Sequence, residues 1–177
     1  WRDHKNIPGL VRAFSILKEN YKMDLQLVLG GENTHQYKDI DKAIVESCVK
    51  SDIMQTGFIP DNVLPILYSG AEATVIPSFV EGFGLHAIES IMCGTPVVGS
   101  KTTSLPEVVG DLAIYFDPHD PEDIAKKIKR VLEDSIFKKI VFEKRQKLAQ
   151  KYSWKNCAIK TLEIYKNTQN EKKKKNK

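Results

Sequence analysis

Residues 73–99 read ATVIPSFVEGFGLHAIESIMCGTPVVG. The run Ala73 to Ile76 is apolar or β-branched, and Pro77 stops it. A short run of this kind, closed by a breaker, predicts a strand covered on both faces. Gly82 and Gly84 mark a turn, and residues 84–93 follow a helical pattern that Gly94 ends. Pro96-Val97-Val98-Gly99 predicts the next strand. Strand, helix and strand in this order form a unit that joins parallel strands.

The alternation continues in both directions. On the amino-terminal side, Ile7, Leu10, Val11, Phe14 and Leu17 recur at helical spacing, with Asn6 as the expected N-cap. Leu25 to Leu29 then predicts a buried strand ending at Gly30-Gly31. A helix is expected over 36–49 with Ile40, Ile44 and Val45 inside, then a strand over Ile53 to Phe58. Pro60 opens a short helix through about Tyr68. On the carboxyl-terminal side, Leu105 to Val109 predicts a helical turn and Leu112 to Phe116 a strand. Asp120 and Pro121 start a strong helix, as N-cap and first residue, with Ile124, Ile128 and Val131 inward. Helices over 136–150 and 154–168 follow, the second carrying Trp154, Ala158, Leu162 and Tyr165 on one packing stripe.

Short apolar strands alternating with helices define an α/β protein. The expected architecture is a Rossmann-like, doubly wound parallel sheet of about five strands. Such a unit ordinarily opens on a strand, whereas here a helix starts by residue 7. The expectation is that the first strand, and whatever came before it, is missing from this sequence. Residues 1–170 are expected to fold as one domain, and 171–177 to form a disordered basic tail.

Composition excludes several classes of function. Hydrophobic residues make up 41% and charged residues 28%, as in ordinary globular proteins. Apolar runs fall far short of the roughly 20 residues that span a bilayer. The 27 Lys and Arg against 23 Asp and Glu give a net charge of +4. Five Lys and one Glu among residues 171–177 account for all of it, so the body is neutral and offers no nucleic-acid-binding face. Cys48, Cys93 and Cys157 are odd in number and widely spaced, which suggests neither disulfides nor zinc. A reducing, cytoplasmic setting is the expectation, and no signal peptide is visible. His4, His35 and His119 are scattered and form no metal set.

In open α/β sheets, ligands bind beyond the carboxyl ends of the strands. That rule selects Gly30-Gly31-Glu32, Gly57-Phe58, Pro77 to Gly84, Ser100-Lys101-Thr102, and Lys5. Glycines before a helix start let backbone N–H groups approach an anion such as a diphosphate. The segment is neither a Walker loop nor GxGxxG. Within the following helix, Leu85, Ile88 and Met92 are expected to face inward, with His86, Glu89 and Cys93 on a neighbouring face. Glu81 and Glu89 thus flank the turn. Carboxylates beside a phosphate cradle are suited to accept hydrogen bonds from sugar hydroxyls. Together they describe a site for a nucleotide sugar.

The segment from Pro77 to Gly99 resembles the donor-binding signature of the family-4 retaining glycosyltransferases. Glu81 and Glu89 match that family's glutamate pair, and His4-Lys5-Asn6 resembles its lysine motif. Ser104 to Asp111, Phe116-Asp117-Pro118 and Ser153-Trp154 also match, in order, so the resemblance covers about residues 4–168. It is nearest to mannosyltransferase-like members. The resemblance implies a GT-B architecture of two Rossmann-like domains, of which this chain is the carboxyl-terminal, donor-binding one. It implies hexose transfer with retention from GDP-mannose or a UDP-hexose to a glycan or lipid-linked hydroxyl, with no protein-bound metal or other cofactor. By the same resemblance, Glu89 binds the ribose and Gly82, Phe83, Gly84 and Leu85 present amides to the diphosphate. Lys5, with Arg2, neutralises the phosphates. Glu81 contacts the transferred hexose as the catalytic carboxylate, and Gly57 and Phe58 border the base. The acceptor site belongs to the amino-terminal domain, so this part alone is expected to be inactive.

Blander readings stand beside these. His86 reads as a bystander or a support for a neighbouring site residue rather than a general base, Glu107 as an ion pair or cap, and Cys93 as a small apolar residue. Two rivals to an enzyme remain. A non-catalytic nucleotide-sugar-binding domain predicts binding without turnover. A scaffold that contacts an anionic membrane through Lys172 to Lys175 predicts vesicle binding that is lost with the tail.

Overall fold

The computed structural model describes residues 1–32 and 38–175. Helices and strands alternate as α1 (Ile7–Glu19), β1 (Leu27–Gly30), α2 (Lys38–Val45), β2 (Ile53–Gly57), α3 (Leu64–Gly70), β3 (Thr74–Ile76), α4 (Leu85–Met92) and β4 (Val97–Ser100). After these come α5 (Leu105–Val109), β5 (Ala113–Phe116), α6 (Pro121–Glu133), α7 (Ser135–Lys151) and α8 (Trp154–Lys175). A 3-10 turn, Asp3–Lys5, leads into α1. His35 and the expected helix start at 36 lie outside the described residues.

All strand pairs are parallel. β1 pairs with β2, Leu27 opposite Ile53. β3, β4 and β5 form a second ladder, with Thr74 opposite Val97 and Val97 opposite Ala113. The expected sheet of about five strands is therefore present as two parallel ladders, and none joins β1 to β3 among the described residues. Side chains bridge where backbone bonds do not: Leu29 of β1 shares one core with Val98 of β4 and with Ile114 and Phe116 of β5. α1 and α6 close that core through Leu10, Phe14, Leu17, Ile124 and Ile128. The opposite face is closed by α4, α5 and α7, through Ala87, Ile91, Leu105 and Val141 against Ile76 and Val97. Val97 and its neighbour Val98 thus enter different cores, as alternate residues of a doubly covered sheet do.

Local chemistry explains the helix ends. The Asp120 carboxylate accepts from the N–H groups of Glu122 (2.9 Å) and Asp123 (3.2 Å), as expected of an N-cap. Asn6 stands before α1 but does not cap it. It has a left-handed φ of 52°, whereas a capping side chain needs an extended backbone. Its amide donates instead to the carbonyls of Pro77 (3.1 Å) and Pro118 (2.8 Å), and the residue is only 4% exposed.

The expected buried strand at Leu25 to Leu29 is covered on one face only, with Leu29 buried and Val28 45% exposed. Three expected apolar helix faces also differ. Ile40 and Ile44 are buried in α2, but Val45 is exposed. On α4 the inward set is Ala87, Ile88 and Ile91, while Leu85 and Met92 are exposed. The cause is that α4 packs on α7 as well as on the sheet, which rotates its buried arc. The stripe Trp154, Ala158, Leu162 and Tyr165 does not pack: side chains 154–169 are all exposed, Trp154 at 81%. α8 also runs on to Lys175, past the expected helix end at 168, so residues 171–175 are helical. Among the described residues no helix is long and apolar enough to cross a membrane.

Candidate functional site

The segment after β3 is fixed from three sides. The Lys5 ammonium lies 2.7 Å from Glu81 Oε1, joining residues far apart in sequence. Ser78 Oγ donates to the same oxygen at 2.6 Å. The Glu81 N–H donates to Thr103 Oγ1 (3.0 Å), and Ser104 Oγ donates to the Glu81 carbonyl (3.0 Å). The Phe79 N–H donates to the His4 carbonyl at 2.8 Å, which seats the 3-10 turn and Lys5 against this loop. Burial alone would push the Glu81 carboxyl up. The hydrogen bonds from Lys5 and Ser78, with the Lys5 charge, outweigh burial and hold the carboxyl below its ordinary value. Glu81 is therefore a fixed, ionised carboxylate.

The turn into α4 follows at once. Gly84 occupies the N-cap position with φ 87°, and a Cβ there would sit 2.6 Å from Leu105 Cδ2. Both facts require glycine. A Cβ on Gly82 would meet nothing within 4 Å. Phe83 packs edge-on against Tyr152 at the end of α7, with ring centroids 5.4 Å apart. Leu85, exposed, is the first residue of α4, and the first N–H groups of a helix have no intrahelical partner. An anion at this helix end would meet amides and the positive end of the dipole.

Glu89 lies one turn further along α4. Its Oε2 accepts from the Tyr68 hydroxyl at 3.1 Å and lies 3.5 Å from His86 Nδ1. His86 is thus a neighbour of Glu89.

The structure brings Lys5, Glu81, Gly82, Phe83, Gly84, Leu85 and Glu89 into one region of continuous chain and contact. Arg2 is exposed, and its side chain makes no hydrogen bond or ion pair among the described residues. Gly57 has a left-handed φ of 67° and its carbonyl accepts from Gly31 N–H (2.9 Å). Phe58, 71% exposed, follows it. Neither makes a hydrogen bond, ion pair or ring contact to residues 77–89. Glu107 is exposed in the first turn of α5 and pairs with nothing among the described residues, where an ion pair or cap was expected. Sequence reasoning missed Tyr68 and Thr103, and it gave no role to Ser78 and Ser104 within the stretches it singled out. The hydroxyl-rich run Ser100 to Ser104 after a strand was the one available signal for Thr103 and Ser104. Among the described residues, no group of three or more His, Cys, Asp or Glu side chains could hold a metal ion.

The family model described as "Glycosyl transferases group 1" matches residues 1–153. An O-antigen chain mannosyltransferase B of Escherichia coli is 38% identical over 162 residues, covering 92% of this chain and 42% of that protein. The sucrose-phosphate synthase of Thermosynechococcus elongatus superposes with a TM-score of 0.82 at 25% identity, over 94% of this chain and 43% of the other. Anabaena HepE, solved in complex with UDP and glucose, gives a TM-score of 0.83 at 19% identity, over 94% and 46%. The chain spans less than half the length of each.

Proposed function

The chain belongs to the group 1 glycosyltransferase family, and from that premise we propose that it is the donor-binding half of a retaining hexosyltransferase. One observation carries the reading: Lys5 and Glu81 converge at the amino end of α4, beside a glycine turn, at the carboxyl end of β3. The donor is a nucleoside-diphosphate hexose. The mannosyltransferase relative supports mannose, and hence GDP-mannose, ahead of a UDP-hexose.

In this reading the diphosphate lies against the amides of Gly82 to Leu85. Lys5 spends one N–H on Glu81 and keeps two for phosphate oxygens. Glu89 receives the ribose hydroxyls, and Gly57 and exposed Phe58 border the base. Arg2 adds positive charge at the rim. As the bond from the sugar to the diphosphate breaks, negative charge builds on the departing phosphate. Lys5 and the α4 amides are already in place to stabilise it, so they act on the transition state more than on the bound donor. Preorganised donors of this kind are worth roughly 3–4 kcal/mol each. Glu81 holds hydroxyls of the hexose while an acceptor hydroxyl of a glycan or lipid-linked saccharide bonds to the sugar's anomeric carbon; the diphosphate leaves with the bonding electrons, and the acceptor's proton goes to a departing phosphate oxygen. Charge neutralisation by Lys5 and backbone amides needs no protein-bound metal. The acceptor would be held by a second domain of the two-domain architecture that the family resemblance implies.

Thermal unfolding with GDP, UDP, GDP-mannose and UDP-glucose tests the donor site. A ligand at about 100 times its dissociation constant stabilises by roughly 2.7 kcal/mol, or roughly 5–10 °C at this size. The expected result is a shift with one base, diminished in Glu89→Ala. No shift with any of the four overturns the reading.

A further inference from the structure

Tyr68 lies in α3 and reaches across to α4. Its backbone carbonyl accepts twice, from the Ala71 N–H at 3.1 Å and from the hydroxyl of buried Thr95. The main chain is therefore fixed, and only two side-chain torsions place the phenol. The phenol oxygen lies 3.1 Å from Glu89 Oε2 and 3.2 Å from His86 Nδ1.

Counting protons decides the direction of each bond. The hydroxyl has one hydrogen, and a carboxylate only accepts, so that hydrogen goes to Glu89. The phenol oxygen must then accept from His86, so Nδ1 carries a hydrogen. That N–H also lies 3.5 Å from Glu89 Oε2. The phenol is thus the hydrogen-bond donor to Oε2, and His86 donates to the phenol. Among the described residues Oε1 has no donor at all. Burial, and then the Glu89 charge, push the Tyr68 hydroxyl well above its ordinary value, so it stays a donor at any working pH.

We propose that Tyr68 is a positioning residue: with His86 locked as its Nδ1–H form, it pins Glu89 Oε2 and leaves Oε1 aimed to receive the ribose diol of a nucleoside diphosphate. The proposal rests on the donor-site reading above and adds to it a residue, and a tautomer, that fix the ribose contact. A tyrosine needed only for packing would be replaced by phenylalanine without effect on the ribose.

Two measurements on the intact protein test this. The first is NMR of the His86 ring nitrogens at alkaline pH, where imidazoles are neutral. The wild type is expected to carry its hydrogen on Nδ1, and Tyr68→Phe to change that population. A wild-type hydrogen on Nε2 overturns the proposal without any variant. The second is calorimetry with GDP, UDP and their 2′-deoxy and 3′-deoxy counterparts. A hydrogen bond to a charged group predicts that loss of the hydroxyl weakens wild-type binding by about ten-fold or more. In Tyr68→Phe that penalty is expected to shrink to about three-fold or less. If Tyr68→Phe binds ribose and deoxyribose nucleotides with the wild-type ratio, even with weaker binding or a lower Tm, the role of Tyr68 is overturned and the donor site stands. If the wild type binds none of the nucleotides, the donor-site reading falls and this proposal with it.

Discussion

Glu81 is caught between two opposing effects, burial and a lysine with a serine beside it, and the second prevails. Its carboxyl is held below the ordinary value of 4.5, so the folded chain binds that proton more weakly than the unfolded chain does. The stabilisation is complete above about pH 4.5 and is lost as the pH falls through the lower folded value. The midpoint of urea unfolding, followed as a function of pH, should therefore fall more steeply in the wild type than in Glu81→Gln. Parallel profiles would show that the Lys5 contact contributes nothing in solution. Glu81 itself was legible in the sequence, because a carboxylate beside two glycines stands out. The roles of Ser78, Thr103 and Ser104 were not, because a hydroxyl that supports a loop has no spacing rule of its own. Tyr68 was hidden for another reason: it reads as the end of a short helix, and its partner lies on the next one.

The start of α4 separates two glycines that look alike in sequence. Gly84 serves the fold, since it needs a left-handed φ and has Leu105 against it. Gly84→Ala is expected to cost about 2–4 kcal/mol, the sum of left-handed backbone strain and forced repacking. Gly82 has open space where a Cβ would go. Gly82→Ala should leave stability within about 0.5 kcal/mol and yet weaken nucleotide binding, because the new methyl group occupies the approach to the amides. Thermal unfolding and calorimetry on the two variants check both statements. A clear loss of stability in Gly82→Ala would assign that glycine to the fold instead. At this scale the strands, the helices and the Asp120 cap were legible, since periodicity and capping are local. The buried arcs of α2 and α4 were not, because they depend on which helix lies alongside. The division into two ladders was equally out of reach. Alternation reports which side chains are buried, not which backbone stands next.

The molecule is unevenly finished. Its two cores are closed by helices on either face, whereas α8 carries Trp154, Ile159, Leu162, Ile164 and Tyr165 in the open. Since α8 buries little against the body, removing residues 154–177 should move the Tm by less than about 2 °C. A drop well beyond that would mean that the apolar face of α8 is covered in solution. The stripe was legible as a stripe, and what it faces was not. A periodic pattern announces burial without naming the partner.

Asn6 fastens the chain over long spans, with bonds to carbonyls 71 and 112 residues away. Lys5 adds a third, to a carboxylate 76 residues on. Closing such long loops carries an entropy that nearby contacts must first offset, so these bonds form late. During synthesis, residues 5 and 6 leave the ribosome long before Pro118 exists to receive them. The corner that holds Lys5 and Glu81 is then among the last parts to assemble, and if it is the donor site proposed above, competence to hold a nucleotide would report that the domain has been made and folded through β5.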